Sequence, residues 1–105
     1  MRGKTRKGVA LITGGGTGVG AATARMLAER GFAVAVNYSR SADAAEATAE
    51  ACRQLGAEAV AVRGDVSSDA DCRSMVSAVV GKWRGIDLLV NSAGATQITK
   101  FSDLD

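Results

Sequence analysis

Residues 9–20 read VALITGGGTGVG and carry the strongest indication of the fold. A short apolar run closes at Thr13, glycines follow, and a segment with helical spacing continues through Leu27. The run predicts a buried strand, and the segment after it predicts a helix that begins near Gly18. Glycines lack Cβ atoms and a helix N-terminus presents unpaired N–H groups, so the turn between them is typical of a phosphate-binding site.

Composition limits the class of protein. The chain has 105 residues, of which 47% are apolar and 23% are charged, and its formal net charge is +2. This length fits one domain or part of one, and this balance is that of a packed globular protein rather than a disordered one. Because the net charge is so small, we expect no nucleic-acid partner.

Two residue types limit the chemistry. The sequence has no His, which excludes Ser-His-Asp and Cys-His catalysis, and its only cysteines are Cys52 and Cys72. These cysteines stand outside any CxxC spacing, so we expect no metal site. We expect them to be reduced, buried thiols within two helices of an intracellular, cytoplasmic protein.

Basic residues cluster only at the N-terminus. Four of them precede the first apolar run: Arg2, Lys4, Arg6 and Lys7. That run is too short for a membrane span or a signal-peptide core, and we expect no membrane partner. We expect residues 1–7 to form a basic, flexible terminus. Contact of this terminus with RNA or anionic lipid is the alternative.

Four short apolar runs recur along the chain, at residues 9–13, 33–37, 58–63 and 86–91. Segments with helical spacing separate them, and the clearest apolar stripe consists of Cys72, Met75, Val76, Val79, Val80 and Trp83. Apolar and polar residues do not alternate within these runs, which predicts strands buried on both faces of a parallel sheet. We therefore predict an α/β fold with a Rossmann-type doubly wound parallel sheet, β-α-β-α-β-α-β, in the half-sheet order 3-2-1-4. A flavodoxin-like strand order is the alternative.

Capping signals mark the ends of the predicted helices. Asp43 with Glu46 has the spacing of a capping box, and Ser68 with Asp71 resembles one. Three glycines stand just before the later strands, where a left-handed residue can end a helix: Gly31, Gly56 and Gly85.

The register of the glycines characterises the first turn further. The motif TGxxxGxG is satisfied from Thr13 to Gly20, and a loose GxGxxA is satisfied from Gly16 to Ala21. Because the turn follows a predicted strand and opens a predicted helix, we interpret it as a dinucleotide-binding turn. A merely flexible loop is the alternative.

The end of the second predicted strand bears on the type of dinucleotide. It reads Asn37, Tyr38, Ser39 and Arg40, with no acidic residue. A site that prefers NAD places Asp or Glu there to bind the ribose hydroxyls. Asn37, Ser39 and Arg40 can instead donate hydrogen bonds to a 2′-phosphate, which favours NADP(H) over NAD(H). A surface arginine beside Asp43 is the alternative interpretation of Arg40.

In these features the chain resembles the short-chain dehydrogenase/reductase family, in the branch whose glycine motif is TGxxxGxG. Three segments carry the resemblance: residues 13–20, Asp65 with Val66 after the third predicted strand, and residues 91–94, which read NSAG where the family has NNAG. The end of the second strand also resembles that of 3-oxoacyl carrier-protein reductases, which hints at ketoacyl substrates.

The resemblance implies a role for each matching position. Thr13 would tie the glycine turn to neighbouring backbone, and Val19 would contact the pyrophosphate and the nicotinamide ribose. Asp65 would bind the adenine amino group, with Val66 packed on the ring. Asn91, Ala93 and Gly94 would line the cofactor's ribose and brace the central sheet. The predicted cofactor-binding residues are Gly14, Gly16, Thr17, Gly18, Val19, Gly20, Asn37, Tyr38, Ser39, Arg40, Asp65, Val66, Asn91, Ala93 and Gly94.

Two features depart from the family pattern. Many NADP-using members carry a basic residue where Thr17 stands, so a 2′-phosphate would depend on Arg40 alone. The family's catalytic Ser and its Tyr-x-x-x-Lys pair have no match, because Tyr38 is the only tyrosine and Ala42 stands four residues later. We therefore predict no catalytic residue in this chain.

The resemblance covers the cofactor-binding half of the family domain. We expect residues 1–105 to be the N-terminal part of a larger single domain, inactive alone, in which strand 86–91 leaves its outer edge unpaired. The resemblance implies an NADP(H)-dependent oxidoreductase that transfers hydride between nicotinamide and a small carbonyl or alcohol substrate. It also implies a homo-oligomer of the full-length protein. A non-catalytic dinucleotide-binding module that acts through a partner is the alternative.

Overall fold

The computed structural model describes residues 6–14, 16, 18–92 and 97–100, the last four through their backbone alone. Its elements are β1 (Gly8–Thr13), α1 (Gly18–Glu29), β2 (Phe32–Tyr38), α2 (Ala42–Gln54), β3 (Ala59–Arg63), α3 (Asp69–Trp83), β4 (Leu88–Asn91) and β5 (Gln97–Lys100). Strand and helix alternate through β4, as the apolar runs predict.

The strands form one sheet in the order β3-β2-β1-β4-β5. Strand β1 is central and pairs in parallel with β2, where Leu11 lies opposite Ala35, and with β4, where Leu11 lies opposite Leu89. The prediction of a parallel sheet with the half-sheet order 3-2-1-4 is confirmed, and the flavodoxin-like alternative is wrong.

The outer edge of β4 differs from the prediction. Strand β5 pairs with it in antiparallel orientation, with Leu88 opposite Lys100 and Asn91 opposite Gln97. The expectation of an unpaired edge is therefore wrong. The connection between β4 and β5 is too short for a parallel crossover, and the β-branched pair Ile98 and Thr99 favours a strand.

Side chains of β1 divide between two cores, one on each face of the sheet. Ala10 and Ile12 pack with residues of α1 and α2, whereas Val9 and Leu11 pack with residues of α3. Because both faces are covered, β1 is apolar at successive positions rather than at alternate ones. The fully buried Ala45 lets α2 pack closely on the sheet.

Helix α3 buries half of the predicted apolar stripe. Its buried members are Met75, Val79 and Trp83, and its partly exposed members are Cys72, Val76 and Val80. Both cysteines are free, as expected. The prediction of a buried thiol is confirmed for Cys52 and is wrong for Cys72, which lies in the first turn of α3, outside the core cluster that contains Met75 and Val79.

The capping prediction is confirmed for α3 and wrong for α2. The Ser68 hydroxyl accepts a hydrogen bond from the Asp71 N–H at 3.2 Å. Helix α2 is instead preceded by Ser41, and no side chain caps its first turn. Asp43 lies inside that first turn, where its negative charge interacts favourably with the helix dipole.

Left-handed residues follow the helices at two of the three predicted glycines. Gly31 and Gly56 both have φ of +97°. After α3, however, Arg84 rather than Gly85 is left-handed, with φ of +70°. The Arg84 N–H donates to the Val80 carbonyl, and this bond closes the helix one residue earlier than predicted.

The basic terminus is partly anchored. The Arg6 guanidinium donates to the Trp83 carbonyl at 3.0 Å, and the Lys7 N–H donates to the Gly31 carbonyl at 2.9 Å. Residues 1–5 lie outside the described residues, and the flexibility of residues 1–7 stays a prediction. None of the helices described is long and apolar enough to cross a bilayer.

Candidate cofactor site

Parallel strands end at one edge of the sheet, which we call the carboxyl edge. Strands β1 to β4 end there at Thr13, Tyr38, Arg63 and Asn91. The loops that follow bring together the glycine turn, the segment 39–41, Asp65 and Ser92. Ligands of open α/β sheets bind at this edge, beside the point where the strand order reverses.

Thr13 joins the ends of β1 and β4. It lies opposite Asn91 in the register, and its Oγ1 is 3.3 Å from the Val90 carbonyl oxygen and 3.2 Å from Asn91 Oδ1. Thr13 is buried, so this hydroxyl bond fixes the point at which the glycine turn leaves the sheet. The geometry agrees with the tying role that the family resemblance implies.

Both backbone groups of Gly14 are held by side chains from neighbouring strand ends. Gly14 has φ of +61°, and its N–H donates to Asn37 Oδ1 at 3.3 Å. The Ser92 hydroxyl lies 3.1 Å from the Gly14 carbonyl oxygen and also contacts the Thr13 carbonyl oxygen. Sequence reasoning missed this contribution of Ser92. The sequence does contain a signal for this role, because Ser92 stands where the family pattern NNAG has its second Asn.

The glycine turn packs on the first turns of α2. A Cβ added at Gly16 would lie 3.0 Å from the Ala45 backbone nitrogen. The Thr48 hydroxyl donates to the Ala44 carbonyl at 3.1 Å and lies 3.4 Å from the Gly16 carbonyl oxygen. Gly16 therefore serves the packing of the turn on α2.

The first turn of α1 is open on its outer side. Gly18 has φ of +54°, and a Cβ added there would meet no atom within 4 Å. Val19 is 62% exposed although it is apolar. Gly20 is buried against the core. The helix N-terminus thus faces the space above the carboxyl edge, as the phosphate-binding prediction requires.

A cavity of about 250 Å³ lies between the glycine turn and the end of β2. Its lining residues are Gly14, Gly16, Asn37, Tyr38, Ser39, Arg40 and Ser41. Ser39 and Arg40 are exposed, and the Arg40 guanidinium makes no hydrogen bond or ion pair to another described residue. The structure therefore brings the predicted phosphate turn and the predicted 2′-phosphate residues onto one cavity.

Asn37 differs from its expected role. It is 2% exposed, and its Nδ2 lies 3.0 Å from the Gly64 carbonyl oxygen and 3.3 Å from the Val62 carbonyl oxygen. The expectation that it donates to a 2′-phosphate is therefore wrong, because its amide hydrogens are directed at the protein. Of the three predicted donors, Ser39 and Arg40 remain.

The Asp65 carboxyl is held in its ionised form at the carboxyl edge of the sheet. Its Oδ1 accepts the Ser67 hydroxyl at 2.7 Å and the Ser67 N–H at 2.9 Å. These bonds hold the pKa of the Asp65 carboxyl below its usual range, and the charges of Arg40 and Arg63 act in the same direction. Val66, the next residue, is 45% exposed.

Three of the predicted cofactor-binding residues, Thr17, Ala93 and Gly94, lie outside the described residues. Tyr38 is half-buried and packs beside the core on the α2 face. Its backbone carbonyl accepts the Gly64 N–H at 2.9 Å. Within the part of the chain that the structure describes, no cluster of His, Cys, Asp and Glu could hold a metal ion.

Comparison with known sequences agrees with this geometry. A family model described as short chain dehydrogenase matches residues 8–105. The short-chain dehydrogenase/reductase homolog YusS of Bacillus subtilis is 45% identical over 97 residues, which are 92% of this chain and 89% of that protein. The 3-oxoacyl-(acyl-carrier-protein) reductase FabG of Staphylococcus epidermidis is 41% identical over 88 residues, which are 84% of this chain and 36% of that protein. The chain thus spans most of the first relative and little over a third of the second.

Comparison with solved structures points to the same fold. A dehydrogenase from Burkholderia cenocepacia with bound NADP superimposes with a TM-score of 0.77 and 35% identity. The similarity covers 82% of this chain and 34% of that one.

Proposed function

The chain belongs to the short-chain dehydrogenase family, and we propose that it binds NADP(H) at its carboxyl edge as part of an oxidoreductase. One observation carries the proposal: the glycine turn and Arg40 line the same cavity. When bound, the cofactor would supply hydride transfer between its nicotinamide and a carbonyl or alcohol carbon. The residues described here would bind and orient it.

The residues at the start of α1 fit the phosphates of a dinucleotide. The first turn of α1 contains no acidic residue, and the space outside Gly18 is open. Unpaired N–H groups and the helix dipole favour an anion at such a terminus. Gly14, held at positive φ, lets the backbone approach a ligand without a side chain in the way.

The residues at the end of β2 fit a 2′-phosphate. None of the described residues that line the cavity there is acidic, so the lining itself sets no carboxylate against the phosphate. Arg40 would neutralise it with hydrogen bonds from a planar guanidinium, and Ser39 would add a hydroxyl donor. The related dehydrogenase from Burkholderia cenocepacia contains NADP, which supports the same preference. Because Thr17 carries no charge, the preference depends on Arg40.

The loop after β3 fits the adenine. Asp65 remains ionised through its bonds from Ser67, and an ionised carboxylate accepts a hydrogen bond from the adenine amino group. The exposed side chain of Val66 would pack on the face of the ring. Adenine at this loop and the 2′-phosphate at Arg40 would occupy adjacent strand ends, since β2 and β3 are neighbours.

The substrate that we propose is a small carbonyl or alcohol compound, with a 3-oxoacyl thioester as the first candidate because of the likeness to the Staphylococcus epidermidis reductase. Tyr38 is not its proton donor, because it lines the cavity beside Arg40, at the proposed 2′-phosphate end. The residues that complete proton transfer would lie outside this sequence, in the remainder of a full-length cytoplasmic homo-oligomer.

A second candidate function is a non-catalytic dinucleotide-binding module that acts through a partner. The relative from Bacillus subtilis favours it, because 97 aligned residues make up 89% of that protein. A polypeptide of similar length therefore exists among the relatives.

Calorimetric titration of the chain with NADPH and with NADH tests the proposal. We expect one NADPH per chain and a dissociation constant for NADPH at least about tenfold below that for NADH. Equal affinities would contradict the NADP preference, and no heat with either would contradict cofactor binding. Turnover of a 3-oxoacyl thioester with NADPH would exclude the non-catalytic module, whereas tight binding without turnover on a carbonyl panel would favour it.

A further inference from the structure

The amide of Asn37 connects two backbone segments that the sheet alone does not join. Its Oδ1 accepts the Gly14 N–H at 3.3 Å, on the glycine turn after β1. Its Nδ2 lies 3.0 Å from the Gly64 carbonyl oxygen, on the loop after β3. One side chain on β2 therefore bridges the loops on either side of it.

The surroundings of Asn37 demand a group that both accepts and donates. The turn offers an N–H donor, whereas the opposite side offers only acceptors: the carbonyl oxygens of Tyr38, Val62 and Gly64 and the sulfur of Met75, at 3.0 to 3.3 Å. Carboxamide satisfies both sides at once. An ionised carboxylate of the same shape satisfies the N–H but sets negative charge against the acceptors.

Burial separates Asn37 from the residues that face a ligand. Asn37 is 2% exposed, whereas Ser39 and Arg40 on the same segment are exposed. Asn37 therefore acts on a ligand only through the backbone that it holds. Gly14 belongs to the proposed phosphate turn, and Gly64 directly precedes Asp65 at the proposed adenine end.

We propose that Asn37 is a positioning residue for the dinucleotide, which sets the glycine turn and the Asp65 loop relative to each other. The inference rests on the proposed function and deepens it. The phosphates and the adenine belong to one molecule of limited reach, so both loops must be held within that reach of each other for both ends to bind. Loss of the bridge would weaken cofactor binding although the proposed ligand-facing side chains of Ser39, Arg40 and Asp65 stay unchanged.

The variant Asn37→Asp tests the bridge through pH. A protonated carboxyl has one O–H donor and one acceptor oxygen, so it restores the bridge, whereas the ionised form does not. Asp65 and Asp71, on the adjoining loop and helix, disfavour ionisation of the introduced group, while Arg40 and Arg63 favour it. Wild-type chain titrated in parallel corrects for protonation of the 2′-phosphate itself.

Burial among carbonyl oxygens should raise the pKa of the introduced carboxyl far enough for it to be largely protonated at about pH 5.5. We therefore expect Asn37→Asp to bind NADPH about tenfold more weakly than wild type at about pH 8, and within about threefold of wild type at about pH 5.5. Asn37→Ala should be weak at both pH values, because it can form the bridge at neither. Equal behaviour of the two variants at both pH values, or wild-type affinity in Asn37→Ala, would overturn the proposal.

Amide hydrogen exchange gives a readout that needs no cofactor. In wild type we expect the Gly14 N–H to be protected, and in Asn37→Ala we expect its exchange to be at least about tenfold faster while the Leu11 N–H in β1 stays unchanged. If wild type binds no NADPH, the proposed function fails. Hydrogen exchange at the Gly14 N–H still shows whether Asn37 bridges the two loops. If Asn37→Ala does not fold, the pH series of Asn37→Asp decides it. An unprotected Gly14 N–H in wild type would overturn it.

Discussion

Thr13 and Asn91 lie side by side at the ends of β1 and β4, and Thr13 Oγ1 is 3.2 Å from Asn91 Oδ1. The same hydroxyl is 3.3 Å from the Val90 carbonyl oxygen. The last residue of the central strand is thus bonded to its neighbour just before the chain enters the glycine turn. This pair fixes the point at which the glycine turn of the candidate site leaves the sheet.

Replacement of Thr13 by Val keeps the shape of the side chain and removes this hydroxyl. Because Thr13 is buried, we expect the free energy of unfolding to fall by about 1–2 kcal/mol. Urea denaturation measures the change. The matched control is Thr23→Val on α1, where the hydroxyl bonds to no described residue, and an equal loss in both variants would contradict the role of the Thr13 hydroxyl.

Replacement of Arg40 by Gln tests the cofactor preference. We expect the affinity for NADPH to fall about tenfold, because the guanidinium is the main positive charge proposed for the 2′-phosphate. Affinity for NADH should stay within about twofold. Arg30→Gln, at the opposite edge of the sheet, controls for net charge. Equal losses for NADPH and NADH would contradict the assignment.

Replacement of Gly16 by Ala tests how closely the turn packs on α2. The added Cβ would lie 3.0 Å from the Ala45 backbone nitrogen, so we expect a loss of roughly 1–3 kcal/mol in the free energy of unfolding. Gly81→Ala is the contrasting variant, since its Cβ meets nothing within 4 Å inside α3. We expect Gly81→Ala to stabilise the chain by up to about 1 kcal/mol. Thermal denaturation of both variants checks the opposite signs.

Replacement of Ser67 by Ala tests the cause of the lowered Asp65 pKa. The Ser67 hydroxyl is the largest contributor, so the pKa of the Asp65 carboxyl should move up toward its ordinary value, as measured by NMR titration. A pKa that is lower in the folded than in the unfolded chain contributes stability above the unfolded value, and this contribution disappears as pH falls through the folded value. The difference in stability between wild type and Ser67→Ala should therefore shrink in acid. With Ser74→Ala, an exposed control on α3, the pKa should stay unchanged.

Much of the fold follows from the sequence, because apolar periodicity and glycines are local signals. The runs at residues 9–13 and 33–37 match β1 and β2 within one residue at each end, and Gly18 begins α1 as predicted. Parallel pairing follows from strands that are buried on both faces, and the central position of β1 follows from right-handed crossovers.

The errors arise where tertiary contacts outweigh local preference. Arg84 takes the left-handed position expected of Gly85, because its N–H reaches the Val80 carbonyl at the end of α3. The antiparallel strand β5 was not predicted, because a short polar strand shows little apolar periodicity. Cys72 fits the helical stripe, yet it lies in the first turn of α3 and, unlike Met75 and Val76, does not belong to the core packed on the sheet.

The candidate site was predictable in its ligand-facing parts and not in its supports. The glycine turn, Arg40 and Asp65 belong to patterns with a direct chemical meaning. The bridging role of Asn37 depends on the ends of three strands that come together only in the folded sheet. From composition and spacing alone, Asn37 is therefore predicted to contact the ligand instead. Ser92 is similar, because its hydroxyl acts on Gly14 from 78 residues away.

Amide NMR spectra of the chain with and without NADP are the sharpest test of whether the cofactor binds at the glycine turn. We expect shifts at the carboxyl edge, at Gly14, Gly18, Ser39, Arg40 and Asp65, and none at the opposite edge, where Gly31 and Gly56 lie. Absence of any shift at saturating NADP, or shifts centred on Gly31 and Gly56, would contradict a cofactor site at the glycine turn.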